Sequence, residues 1–174
     1  DLPINYINPP PSYTSRSQRL RSPSEIFRGN AATCIDLALL FASCLEFVGI
    51  YPVVFLITGH AFPGYWRSDK AWWRMSNFEQ SEGDTGPTAA TAAEPLATTG
   101  QTERWLFDEP MNLGELLGYV QQGTLVPFET TFVTARRGFF ASLEQGAAQL
   151  HPQSFDAMID IQSARAARVT PLPL

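Results

Sequence analysis

Apolar positions along the chain fall into blocks of distinct period. The densest block, TCIDLALLFASCLEFV over residues 33–48, carries charge only at Asp36 and Glu46, so it predicts a helix that is apolar around most of its circumference and therefore central. Both ends of this helix are marked. Thr33 followed three residues later by Asp36 makes a capping box with Cys34 as the first helical residue, and Gly49 with Pro52 beyond it stops the helix. Two runs rich in β-branched and aromatic residues, YPVVFLI and HAFPGYW, then flank Thr58-Gly59, which predicts a hairpin with His60 beside its turn.

The remaining blocks are shorter. Residues 111–122 read as a helix, 125–132 as a strand and 139–150 as a helix, while 155–169 mixes an alternating stretch with Ala and Arg and fits either strand or helix. Residues 3–24 contain Pro9-Pro10-Pro11 with many Ser and Arg, the pattern of extended chain wrapping a domain, and a short helical turn follows over 23–27. Residues 81–102, SEGDTGPTAATAAEPLATTGQT, have too little apolar bulk to build a core and are expected to be a flexible insertion. Trp72, Trp73, Trp105 and Phe107 would anchor its base. The mixture predicts an α+β fold, and no internal repeat is visible.

Composition narrows the class. A chain of 174 residues that is 44% hydrophobic and 17% charged fits one domain able to bury its own core without disulfides or metal. The net charge of -5 argues against a nucleic-acid binder, and the cluster Arg16, Arg19, Arg21 and Arg28 reads as a solvated face or a partner contact. No run approaches the roughly 18 apolar residues of a membrane span, and no signal peptide is visible, so no membrane partner is expected. The first residue is Asp and the last five are Thr-Pro-Leu-Pro-Leu, so the expectation is a domain excised from a larger polypeptide, whose other domains are its partners. Cys34 and Cys44 on one helix stand roughly 15 Å apart, too far for a disulfide. Free thiols imply a reducing compartment, most simply the cytoplasm.

Candidate chemistry centres on Cys34. A thiol at a helix N-terminus has its thiolate stabilised, and a neighbouring imidazole would supply the base. His60 is the better partner, on a hairpin expected to pack against the Cys34 helix, whereas His151 precedes Pro152 at a helix end. Cys44 reads as a core residue in mid-helix and Asp36 as a cap. Tyr65, Trp66, Trp72 and Trp73 read as packing aromatics rather than a substrate groove. No C-x-x-C or H-x-x-x-H spacing and no phosphate-cradling loop occurs, so neither metal nor cofactor is expected.

Residues 33–66, TCIDLALLFASCLEFVGIYPVVFLITGHAFPGYW, resemble the Cys-helix and His-strand of the transglutaminase-like superfamily of papain-like thiol enzymes. With QRLR at 18–21, VPFETT at 126–131 and IDIQSARAARVTPLP at 159–173, the chain is most similar to the transglutaminase-like domain of some large bacterial helicase-related proteins. The resemblance spans most of the chain outside the insertion. It implies a papain-like core in which a central Cys-bearing helix packs on an antiparallel sheet. It also implies a triad of Cys34, His60 and an acid in a hydrophobic-x-Asp-x-Thr strand, where Glu129 stands in place of Asp and Thr131 matches the threonine. Asp108 is the competing orienter of His60. Gln18 matches the glutamine that would join the Cys34 backbone N–H as an oxyanion donor. The expected activity is that of a cysteine protease or amidase acting on protein or peptide amides. Transglutaminase or deamidase chemistry is open to the same triad. The alternative from another class is a non-catalytic interaction module on the same fold.

Overall fold

The structure, a computed structural model, describes residues 3–8, 19–76, 105–108 and 110–169. Strands β3 (Tyr51–Ile57) and β4 (His60–Trp66) form the expected hairpin, paired from Tyr51 with Trp66 to Ile57 with His60. Gly59 has φ +73°, a conformation that a side chain disfavours, and it closes the turn in two residues. Strand β7 (Phe155–Asp160) pairs on the other side of β3, β5 (Leu106–Phe107) on β7, and β6 (Leu125–Pro127) on β4. The result is a five-stranded antiparallel sheet in the order β5-β7-β3-β4-β6 with helices packed on it, an α+β fold.

Both faces of the central strands are covered, which explains why YPVVFLI lacks polar alternation. On one face Val53, Phe55, Phe62 and Trp66 join Met75 of α3 (Asp69–Ser76), Leu116 of α4 (Pro110–Gln121) and Met158 in the main core. On the other face Val54 and Ala61 meet Ala38 and Ala42 of α2 (Cys34–Phe47), so small side chains let the helix lie close to the hairpin. A third cluster sits on the far side of α2. There Ile4, Ile26 and Ala32 pack against Leu37 and Leu40. They come from the N-terminal segment, α1 (Pro23–Gly29) and the two-residue parallel pair of β1 (Asn5–Tyr6) with β2 (Ala31–Ala32).

Two expectations change, and one left open is resolved. Cys44 is exposed rather than core. It lies one turn beyond Leu40, past the cover supplied by α1 and β2, and the end of α2 protrudes with Phe47 92% exposed. The expected strand over 125–132 stops at Pro127, and residues 131–134 form a short helix, α5 (Thr131–Thr134). Here the Glu129 carboxylate accepts hydrogen bonds from the Thr131 N–H and hydroxyl, 2.8 and 2.7 Å, a local turn that overrides β-propensity. Glu129 therefore sits just beyond the strand adjacent to β4 rather than on it. The stretch left open at 155–169 is both elements in succession. Strand β7 ends at Asp160, whose carboxylate caps α7 (Ile161–Ala166) by accepting the Ser163 N–H at 2.8 Å.

Aromatic packing follows the sequence reading for the most part. The indoles of Trp66 and Trp72 donate to buried Asp160 at 2.9 and 3.1 Å, and Trp72 stacks on Tyr51, while Trp73 remains 46% exposed. Residues 81–102 lie outside the described residues. No helix among the described residues is long and apolar enough to cross a membrane.

The helix α6 (Phe139–Ala148) crosses directly over the chain that follows β6. A Cβ at Gly146 would stand 2.7 Å from both the Cα and the N of Phe128, backbone that has no flexible end to give way. Gly146→Ala is thus expected to lower unfolding free energy by about 1–3 kcal/mol in urea titrations. Gly114→Ala, where nothing lies within 4 Å, is expected to raise it by up to about 1 kcal/mol. Equal effects of the two substitutions would contradict the close approach of α6.

Candidate active site

The first turn of α2 is built by its own side chains. Thr33 is the N-cap, the Thr33 N–H donates to Asp36 Oδ2 at 3.0 Å, and the Asp36 N–H donates to Thr33 Oγ1 at 3.4 Å. Asp36 is fully buried and is held further by the Arg21 backbone N–H, 2.8 Å, and guanidinium, 2.9 Å. Burial alone would raise the Asp36 pKa, but the donors from Thr33 and Arg21 lower it, so it stays a carboxylate. One arginine of the N-terminal cluster is therefore spent on this cap. Cys34 begins the helix from this fixed end, 5% exposed.

Four groups lie close enough to its sulfur to bear on its charge: the His60 ring, the backbone N–H groups of Ala61 and Ile35, and the Tyr6 hydroxyl. Burial pushes the thiol up. The His60 hydrogen bond, the Ala61 N–H, the His60 charge and the Ile35 N–H outweigh it and leave the pKa below the ordinary value.

His60 is fixed from its other side. Its Nε2 lies 2.7 Å from Glu129 Oε2, which leaves Nδ1 as the ring nitrogen for the sulfur, and the ring stacks on Phe62. Burial would lower the imidazole pKa, but hydrogen bonds to Cys34 and Glu129 and their charges raise it to about 9. Relative to an ordinary 6.5, the imidazolium stabilises the fold fully below that value, and this contribution is lost as pH rises through about 9.

Glu129 is 1% exposed and saturated with donors. One oxygen takes His60 and the other takes Thr131, and these contacts lower its pKa against the effect of burial. Its stabilising charge is complete above pH 4.5 and is lost as pH falls through the lowered value. The backbone is gripped as firmly. The Glu129 N–H donates to Ser142 O at 2.9 Å, and Ser142 Oγ donates to Glu129 O at 2.7 Å, so α6 carries the acid.

Cys34, His60 and Glu129 are thus brought together, and Glu129 rather than Asp108 meets the imidazole. Asp108 is exposed beside β5 at the opposite edge of the sheet, with β7 and β3 between it and β4. Gln18 lies outside the described residues. His151 is part of a turn, its Nδ1 2.9 Å from Ser154 Oγ. Sequence reasoning missed Tyr6 and Ser142. For Tyr6 the only signal was the short alternation Ile4-Asn5-Tyr6 ahead of the proline run, and for Ser142 there was none.

Beside the triad opens a cleft of about 510 Å³, walled by Tyr6, Ile57, His60, Glu129, Phe132 and Arg137 among others. The Arg137 guanidinium lies 4.7 Å above the Phe132 ring. A thiol, an imidazole and a carboxylate stand in the order in which thiol-dependent acyl transfer would use them. Comparison with protein-family models, with curated proteins and with solved structures gives no match.

In a Cys44→Ser background the thiolate absorbance of Cys34 is expected to titrate below the ordinary thiol value of about 8.5. His60→Ala removes the strongest donor and leaves burial in place, so the inflection should move upward. An unchanged inflection in His60→Ala would contradict the pairing.

Proposed function

We propose that this chain is a cysteine hydrolase that transfers the acyl group of a protein or peptide amide to Cys34 and then to water, on a papain-like, transglutaminase-like core. The observation that carries the reading is the succession of Cys34, His60 and Glu129, in which the imidazole bears on the thiol on one side and its Nε2 lies 2.7 Å from Glu129 Oε2 on the other. The packing of a Cys-bearing helix on a hairpin that carries the histidine adds support, because it is the arrangement such a core requires.

In this mechanism the Cys34 thiolate adds to the amide carbonyl carbon, and the carbonyl π pair moves to oxygen. As the tetrahedral adduct collapses the C–N bond breaks, and the His60 imidazolium gives its proton to the departing amine. Water then attacks the thioester with His60 as base, the C–S bond breaks, and the carboxylic acid leaves with the thiolate and imidazolium restored. Glu129 accepts the Nε2–H throughout and holds the ring with Nδ1 toward sulfur. An amine in place of water would give transamidation, and a glutamine side chain as donor would give deamidation. The low exposure of Cys34 favours the competing reading, an interaction module in which the triad is only structural.

A complex mixture of peptides incubated with the protein and read by mass spectrometry separates these outcomes. Cleaved peptides that vanish with Cys34→Ala and persist with Cys44→Ser are expected; deamidated or cross-linked glutamines would redirect the acceptor. Glu129→Gln should lower kcat by about 10²–10⁴. The rate should fall on the alkaline side as His60 loses its proton near pH 9. No Cys34-dependent change in any peptide would overturn the enzyme reading.

A further inference from the structure

The strand that carries Tyr6 is short but fixed. Asn5 N–H donates to Asn30 O at 2.9 Å and Ile7 N–H to Ala32 O at 3.0 Å, so backbone bonds bracket Tyr6 on both sides. Ile4 anchors the segment from below, 4% exposed among Ile26, Leu37 and Leu40. The register sets Tyr6 opposite Ala32, two residues before Cys34. The phenol lines the cleft together with His60 and Glu129, and the register places it on the side of the sulfur, near enough for the two groups to affect each other.

We propose that Tyr6 is a catalytic residue that donates its O–H hydrogen bond to the carbonyl oxygen of the acyl donor as Cys34 attacks. The inference rests on the acyl-transfer reading above. In the adduct the oxygen is bonded to the carbon that the sulfur has just joined, so it lies two bonds from Sγ. A donor that reaches the sulfur in the resting site therefore needs only a small swing to reach that oxygen, where a useful donor stands about 2.7–3.1 Å away. The swing also uncovers the sulfur, which accounts for a nucleophile that is nearly buried while its partners line an open cleft.

The phenol keeps its proton for this task. Burial raises its pKa, and the negative charges of Cys34 and Glu129 raise it further. No proton is transferred from Tyr6 at any step: the hydrogen bond strengthens as charge gathers on oxygen and weakens as the pair returns to re-form the carbonyl. The donor comes from a segment far upstream in the chain, and its place is set by the pairing of β1 with β2.

Two small reagents read this role without knowledge of the natural substrate. p-Nitrophenyl acetate acylates a thiolate through a tetrahedral oxyanion, whereas iodoacetamide alkylates it by direct displacement of iodide with no oxyanion. Both are measured at Cys34 in a Cys44→Ser background, with and without Tyr6→Phe, which keeps the ring and removes the donor. Acylation is expected to slow by about 10²-fold or more while alkylation changes by less than about threefold. Equal acylation in the two proteins would overturn the role of Tyr6 and leave the acyl-transfer reading standing. A parallel fall in both reactions would assign Tyr6 to thiolate maintenance alone and also overturn it. Failure of the Tyr6-containing protein to be acylated, with alkylation intact, would remove the acyl-transfer reading and this inference with it.

Discussion

The ionised state of three partly to fully buried groups, the Cys34 thiol, the His60 imidazole and the Glu129 carboxyl, is the constraint to which the surrounding structure answers. Burial works against charge on each of them, and an isolated buried ion costs several kcal/mol. The balance is reversed by donors and opposite charges placed around every member: backbone N–H groups and the imidazole on the sulfur, two carboxylate contacts on Thr131, and a ring nitrogen held at 2.7 Å. Removing one partner leaves its neighbour charged and unsatisfied, so the site is expected to fail as a unit rather than by increments.

The fold positions these groups from four separate parts of the chain. The buried capping box of Thr33 and Asp36, tied to Arg21, fixes the start of α2 and with it Cys34. Pairing of β3 with β4 fixes His60, and close packing of small residues between α2 and the hairpin brings the ring to the sulfur. Glu129 depends on α6, whose Ser142 binds its backbone in both directions and whose Gly146 allows the approach. The parallel pair at the N-terminal side adds Tyr6.

How much was legible in the sequence depends on the range of the forces involved. The α2 helix, its capping box and the hairpin are local, set by spacing and by residues within a few positions, and the structure contains them as read. The identity of the acid was carried by the resemblance of VPFETT, but its conformation was not. The β-branched run read as a strand, and a carboxylate that bonds two residues ahead turned it instead. Cys44 was misplaced because apolar neighbours in sequence say nothing of where the covering elements end. Tyr6 and Ser142 act across 28 and 13 residues of sequence, from Tyr6 to Cys34 and from Glu129 to Ser142, and no periodicity encodes such contacts.

The most direct test of the charged pair is an NMR titration of the His60 imidazole, assigned against a His151→Gln variant, with and without Cys34→Ala. With the sulfur present the ring should remain protonated through neutral pH and titrate near 9, and its pKa should drop when the sulfur is removed. A ring that titrates at or below 6.5 with Cys34 in place would contradict the account.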